Sequence, residues 1–170
     1  INYVGLMPDG TLDTDQRMII GDPNPKFTGS LSLNLTHSSG FDFSLLLYGV
    51  YGNDIFSMRK LSKTSPNDRW WTWEKPSFEY PSRKYTRQYH ASTWSVEDGS
   101  YLRISNITVG YTLQSGNIKW LDKFRIFVSC NNPYVFANTS EYDPEVGENG
   151  NSSPAYPRIC TITTGIELRF

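Results

Sequence analysis

Side chains able to do chemistry are few and scattered in this 170-residue chain. Its two histidines are His37, in a short stretch rich in Ser and Gly, and His90, deep in a long polar and aromatic segment. Neither has a flanking nucleophile motif for a Ser/His/Asp or Cys/His arrangement, so both read as solvated loop residues. Cys130 and Cys160 have no CxxC or Cys/His spacing for zinc. Glu97 and Asp98 are adjacent and mark the start of a strand, not an acid and base placed across a substrate. Glu141, Asp143, Glu145 and Glu148 could collect calcium, but they lack an EF-hand spacing and read as an acidic loop. These patterns predict no catalytic, metal or cofactor site. The segment Gly52 to Ser100 is different: it holds four of the five Trp (Trp70, Trp71, Trp73, Trp94), with Phe56, Phe78, Tyr80, Tyr85 and Tyr89, and half of all Lys plus Arg. Aromatic faces interleaved with cations suit stacking on sugars or packing against a partner protein, and equally the internal packing of a long ordered loop.

The elements that must position these residues are strands. Sixteen Lys plus Arg against seventeen Asp plus Glu give a net charge of −1, so no basic field exists to hold nucleic acid. No run approaches the roughly 18 apolar residues of a transmembrane helix. A transmembrane barrel stays open, because its strands are apolar only at alternate positions. The chain starts at Ile1 with no leader pattern, and so reads as mature or truncated. Gly, Pro, Asn, Ser and Thr interrupt any helical period, which predicts an all-β chain.

From Phe27 to Thr36 one face reads Phe, Gly, Leu, Leu, Leu and the other Thr, Ser, Ser, Asn, Thr. A turn at His37 to Gly40 leads to a second strand, Phe41 to Tyr51, so the two form a hairpin. A third strand, Tyr101 to Leu113, changes parity between Ile104 and Ile107, which predicts a bulge near Ser105 and Asn106. A fourth runs from Lys123 to Cys130 and a fifth from Ile159 to Phe170. If Phe124 lies opposite Ile166, Cys130 falls opposite Cys160, where a cross-strand disulfide could form under strain. The sequons at Asn34, Asn106, Asn138 and Asn151 are chance matches in an Asn/Ser/Thr-rich chain, since two lie inside strands.

Connection lengths alternate: a tight turn at His37 to Gly40, about 48 residues from Gly52 to Ser100, a short link near Gln114 to Asp122, and about 28 residues from Asn131 to Arg158. Long and short connections therefore segregate to opposite ends, as in outer-membrane barrels with short periplasmic turns and long extracellular loops. Phe41, Tyr111, Trp120, Phe124 and Phe170 fall near the short-turn end, and Phe27, Tyr51, Tyr101 and Tyr134 near the long-loop end, as two interfacial girdles would. Asn34, Asp42, Tyr48, Arg125, Glu167 and Arg169 are the candidates for a wet interior face.

Several strings resemble the SusC/RagA family of TonB-linked outer-membrane transporters of Bacteroidota. They are IIGDPNPKFTGSLSLNLT (Ile19 to Thr36), FDFSLLLYGVYGNDIF (Phe41 to Phe56), VEDGSYLRISNITVGYTL (Val96 to Leu113), YDPEVG (Tyr142 to Gly147) and YPRICTITTGIELRF (Tyr156 to Phe170). They occur in the family's order and cover nearly half the chain. The resemblance implies that residues 1–170 are the C-terminal antiparallel strands, about five, of a barrel of about 22 strands closed by an N-terminal plug. The plug and earlier strands have no counterpart here, and the chain alone should transport nothing. Thr163, Gly165, Leu168 and Phe170 resemble the barrel-insertion signal of outer-membrane proteins, which places the true C-terminus within the chain and the missing part upstream.

The expected function is therefore a share in a SusC-like, TonB-dependent importer of glycan or peptide nutrients in the bacterial outer membrane, without enzyme activity or cofactor. The resemblance implies a SusD-like lipoprotein facing Trp70, Trp71, Trp73, Tyr80, Tyr85 and Trp94, a TonB complex reached through the missing N-terminal part, lipid and the insertion machinery as partners. Two other readings stand beside it: a SusC-like structural subunit of another outer-membrane complex, and a secreted glycan-binding β-sandwich.

Overall fold

The computed structural model describes residues 18–63, 93–114, 121–147, 149–152, 156 and 158–170. In chain order the described strands are β1 (Phe27–Thr36), β2 (Phe41–Tyr51), β3 (Asp54–Phe56), β4 (Val96–Asp98), β5 (Tyr101–Gln114), β6 (Lys123–Ala137) and β7 (Thr161–Arg169). Helix α1 (Met58–Lys63) and a 3-10 turn at Thr93–Ser95 lie between β3 and β4. The chain divides into two compact units, a sheet unit (Phe27–Tyr51, Ser100–Ala137, Pro157–Phe170) and a loop unit (Ile1–Lys26, Gly52–Gly99, Asn138–Tyr156).

The sheet unit is a five-stranded antiparallel sheet in the order β1-β2-β5-β6-β7. Alternation in β1 and the tight turn that follows it set the pairing with β2, from Phe27 opposite Tyr51 to Thr36 opposite Asp42. Gly40 closes the tight turn at φ 97°. Its N–H donates to the His37 carbonyl at 3.0 Å and its own carbonyl accepts from Thr112 N at 2.8 Å. A Cβ there would lie 2.1 Å from the Thr112 carbonyl oxygen, so only glycine fits. His37 is part of the same turn, with Nδ1 2.7 Å from Ser39 Oγ.

The bulge expected near Ser105 is present. Leu46 faces Asn106 but Leu47 faces Ile104, which leaves Ser105 as the extra residue of β5. β6 answers at the same level: Asn106 faces Asn131 and Ile104 faces Tyr134, so β6 carries one further residue, and Asn132 has a positive φ of 51°. The parity change in β5 is thereby absorbed, and Leu102, Ile104, Ile107, Val109 and Tyr111 share one face.

Three expectations need correction. β6 does not stop at Cys130 but continues to Ala137, because the bulge lets Tyr134 and Phe136 resume the apolar face after the Asn131-Asn132-Pro133 interruption. The register of β6 on β7 is offset by two residues from the one assumed: Phe124 faces Leu168 and Cys130 faces Ile162. Cys160 instead sits diagonally from Cys130, with their Sγ atoms 3.3 Å apart. Finally, Tyr101 is not a girdle residue. It lies opposite Val50 on the polar face and is only 7% exposed, with its ring 6.1 Å from that of Tyr48.

Other girdle residues do point outward. Phe27, Tyr51 and Tyr134 at one end, and Phe41 and Phe170 at the other, are all exposed, and Phe41 packs on Tyr111 with centroids 4.6 Å apart; Phe136, which the sequence did not single out, is exposed beside Tyr134. Trp120 lies outside the described residues. Between the two ends Leu31, Leu33, Leu35, Val109, Ile126, Val128, Ile162 and Ile166 leave 40 to 69% of their surface uncovered. Among the described residues the buried apolar side chains are Ile55, Tyr101, Leu121 and Pro144. A β-sandwich would bury such a face against a second sheet, whereas a barrel wall presents it to hydrocarbon. No described helix is long and apolar enough to cross a membrane.

Candidate functional site

In the loop unit, β3 and β4 pair antiparallel with Ile55 opposite Glu97, and Ile55 is fully buried. Gly99 completes this pair by donating its N–H to the Asn53 carbonyl at 2.9 Å. Phe56 N donates to the Gly150 carbonyl and Ser152 N to the Phe56 carbonyl, so the segment after YDPEVG adds a parallel bridge at Asn151. GDPNP joins from the other side, where Asp54 N donates to the Asp22 carbonyl and Asp22 N to Asp54 Oδ2. Hydrogen bonds from the Asn24 backbone and side-chain amides hold the Asp22 carboxyl below the usual carboxylate range.

Ser57 caps α1 by accepting from Lys60 N at 3.0 Å, and its hydroxyl donates to Glu141. Arg59 from the same helix donates to the Ser140 carbonyl and stacks 4.6 Å over the Tyr142 ring. Glu97 is the centre of this unit. Its Oε2 accepts from Thr139 Oγ1 and Ser140 N, its Oε1 accepts from Ser140 Oγ, each at 2.7 Å, and Lys60 Nζ lies 3.1 Å away. Desolvation acts to raise its pKa, but the four donors outweigh it and hold the carboxyl down at about 2. Parts of four of the five strings singled out by resemblance thus meet in one hydrogen-bonded platform, and Glu97 fastens it.

The polar face of the sheet unit carries a second constellation. Arg125 on β6 forms a two-pronged bond to Asp42 on β2, with Nε to Oδ1 at 3.1 Å and Nη2 to Oδ2 at 2.7 Å. Its Nη1 lies 3.7 Å from Glu167 on β7. β5 runs between β2 and β6, and Gly110 on it leaves the gap the guanidinium crosses: a Cβ there would lie 2.5 Å from both Asp42 carboxylate oxygens. Phe127 lies on Gly165 in the same manner, since a Cβ at Gly165 would meet its ring at 2.4 Å. Farther along, Asn106, Thr108, Ser129 and Asn131 form a closed set of side-chain hydrogen bonds of 2.8 to 2.9 Å. Ser44 donates to Asn34 at 2.8 Å. This is a polar, internally paired wall with side-chain charges on β2, β5, β6 and β7, able to line an aqueous lumen.

The expected polar-face residues Asn34, Asp42, Tyr48, Arg125, Glu167 and Arg169 all share this face. Of the aromatic loop candidates, Trp70, Trp71, Trp73, Tyr80 and Tyr85 lie outside the described residues, as does His90, and Trp94 falls in the Thr93–Ser95 turn. Thr163 and Gly165 lie on the polar side of β7 opposite Ser129 and Phe127, Leu168 lies on the apolar side opposite Phe124, and Phe170 follows the strand, 79% exposed. Glu141, Asp143 and Glu145 do not converge with other acids: among the described residues no three His, Cys, Asp or Glu side chains gather as a metal site. Sequence reasoning missed the role of Glu97 and the gap at Gly110. The signal for the second was available, an Asp, an Arg and a Glu at matching heights on one face, but only once the register is known.

No protein-family model matches the chain. It is 26% identical over 188 aligned residues to the TonB-dependent receptor P3 of Formosa agariphila, covering 99% of this chain and 19% of that protein. It is 27% identical to the TonB-dependent receptor SusC of Bacteroides thetaiotaomicron, covering 99% and 17%. Among solved structures it superposes on the RagAB peptide importer in its open-open state with a TM-score of 0.74 at 20% identity, covering 95% of this chain and 19% of that one. A further RagAB peptide transporter structure gives a TM-score of 0.75 at 18% identity. The chain spans about a fifth of the length of these relatives. In sequence and in fold it is SusC/RagA-like, an all-β chain similar to one segment of the TonB-dependent transporters.

Proposed function

We propose that residues 1–170 form the C-terminal wall and outer loops of a SusC-like, TonB-dependent importer of nutrients in the bacterial outer membrane. The observation that carries this reading is the sheet's continuous, uncovered apolar face set back to back with a polar face of paired charges. Such a sheet suits lipid on one side and an aqueous lumen on the other. In this reading the plug and the remaining strands lie in a part of the molecule outside these residues. The polar face then lines the lumen and meets the plug. The platform around Glu97 supports the outer loops, whose Trp70, Trp71, Trp73, Tyr80, Tyr85 and Trp94 offer stacking surfaces to a SusD-like lipoprotein or to a glycan or peptide cargo. Thr163, Gly165, Leu168 and Phe170 serve as the signal read by the insertion machinery along the outer edge of β7. The chain's part in the work is scaffold and recognition, with no enzymatic step.

The test is purification of the native protein that contains this stretch, from outer membranes in mild detergent, followed by intact mass and identification of copurifying proteins. The expected result is a chain about five times longer, in company with a lipoprotein of the SusD type, and loss of nutrient uptake when its gene is deleted. A mature soluble chain of these residues alone would overturn the reading in favour of a secreted β-domain. A long barrel whose deletion leaves uptake of every nutrient intact would favour a structural subunit.

A further inference from the structure

Cys130 and Cys160 approach within 3.3 Å at a place where a covalent link would have a defined mechanical effect. Cys130 is on the apolar face of β6, directly opposite Ile162, and Cys160 is the residue immediately before β7 begins. The β6 and β7 ladder ends at the pair Asn131 and Thr161. Above that point β6 continues to Ala137 through its bulge, paired only to β5, while the chain leading into β7 departs with Ile159 76% exposed. The two sulfurs therefore sit at the fork where the last strand peels away from the sheet.

β7 needs such a fastening more than its neighbours do. It pairs on one side only within this sheet, and eight of its nine residues are exposed. Its alternation does not forbid a slip of two residues, because a two-residue slip keeps every side chain on its own face. We infer that Cys130 and Cys160 are joined in the mature protein as a disulfide, and that this bond fixes the register of β7 and closes the outer segment 131–159 into a covalent loop.

The diagonal placement differs from the directly opposed one in which strain is expected. An S–S bond is about 2 Å long, and the sulfurs at 3.3 Å are near enough for side-chain rotation to bring them together. The oxidant is a disulfide-carrying thiol oxidoreductase met during export. One cysteine attacks as thiolate to give a mixed disulfide with that protein, and the second displaces it. Two thiols lose two protons and two electrons, and the oxidoreductase disulfide is reduced to a dithiol. The link is an inference about this chain alone and holds whether or not the protein imports nutrients.

The test uses the native full-length protein, taken from membranes into acid, alkylated without reductant and digested with trypsin. Cleavage after Arg125, Arg158 and Arg169 yields peptides 126–158 and 159–169, each with one cysteine. The expected product is the two joined, lighter by two hydrogens than their sum, and separated by reductant. In a Cys160→Ser variant, Cys130 should become alkylated without reduction, and proteolytic cleavage between residues 138 and 158 should release β7 from the rest of the protein in unreduced denaturing gels, where the wild type stays joined. Recovery of both cysteines alkylated in the unreduced wild type would overturn the inference. So would either cysteine found bonded to any other thiol.

Discussion

Glu97 is a residue whose chemistry is entirely structural. Two hydroxyls, one backbone amide and one ammonium converge on its carboxylate, and together they bind the strand of β4 to the Thr139 and Ser140 turn and to helix α1. A folded-state pKa of about 2, below the ordinary value of 4.5, means that the folded state favours the ionised form. The resulting stabilisation is complete above pH 4.5 and is lost as the pH falls from there towards 2. Glu97→Gln keeps the size but turns one acceptor into a donor facing other donors. It should cost about 2 kcal/mol of local stability, read as amide exchange at Ser140 faster by about 30-fold at neutral pH. The same variant should lose the fall in protection expected of the wild type as the pH drops below 4.5. An unchanged rate at neutral pH would remove Glu97 from the centre of the platform.

At the scale of elements, the link between β2 and β6 depends on what β5 lacks. Asp42 and Arg125 are 83 positions apart and on strands that do not touch, yet they form a two-pronged pair because Gly110 leaves the intervening strand bare. The β6 and β7 register is held by similar means: Glu167 faces Arg125 and the Phe127 ring covers Gly165, and a shift of two residues would lose both. Gly110→Val should displace the Asp42 carboxylate and leave Arg125 half-paired, at a cost of about 1 kcal/mol for a pair a quarter exposed. The heat-induced shift of the folded band on semi-native gels measures this, and in an Asp42→Ala background the same change should cost much less. β1 and β2 were legible in the sequence to the residue, since ten positions of alternation in β1 fix the apolar side and the tight turn at His37 to Gly40 fixes the register. The bulge at Ser105 was legible from its change of parity. β3 and β4 were not, because three residues show no period and their pairing joins segments about 40 residues apart. The continuation of β6 was hidden by Asn-Asn-Pro, which reads as a turn until the bulge is known. The aromatic loop candidates stand as sequence expectations alone.

The whole sheet has one side suited to hydrocarbon and one suited to water, and this makes the membrane reading testable without a cargo. An arginine on the apolar face of a barrel costs about 2–4 kcal/mol at mid-depth and about 0–1 near the interface. Val128→Arg, near the middle of the exposed face, should therefore impair assembly or thermal stability much more than Leu113→Arg, near the short-turn end, although the two wild-type residues are almost equally exposed at 49 and 47%. Folded yield in outer-membrane fractions distinguishes them. Equal, small effects would indicate that this face meets water, as in a secreted domain.

The extra residue of β5 acts like a reset of a reading frame, while the two residues between Asn131 and Tyr134 leave the parity of β6 unchanged. Between the bulge and the opposite end of the sheet, the stretches Asn106–Gln114, Lys123–Asn131 and Thr161–Arg169 each hold nine residues, the least that crosses a bilayer at a tilt. Beyond the bulge the parity of β5 is counted afresh, while β2 and β6 keep theirs. A residue gained or lost by β5 on the far side of Ser105 can therefore be absorbed at the bulge, leaving the apolar and polar sides of Asn106–Gln114 unexchanged. The strand has a constant half and an editable half, and the seam between them is Ser105.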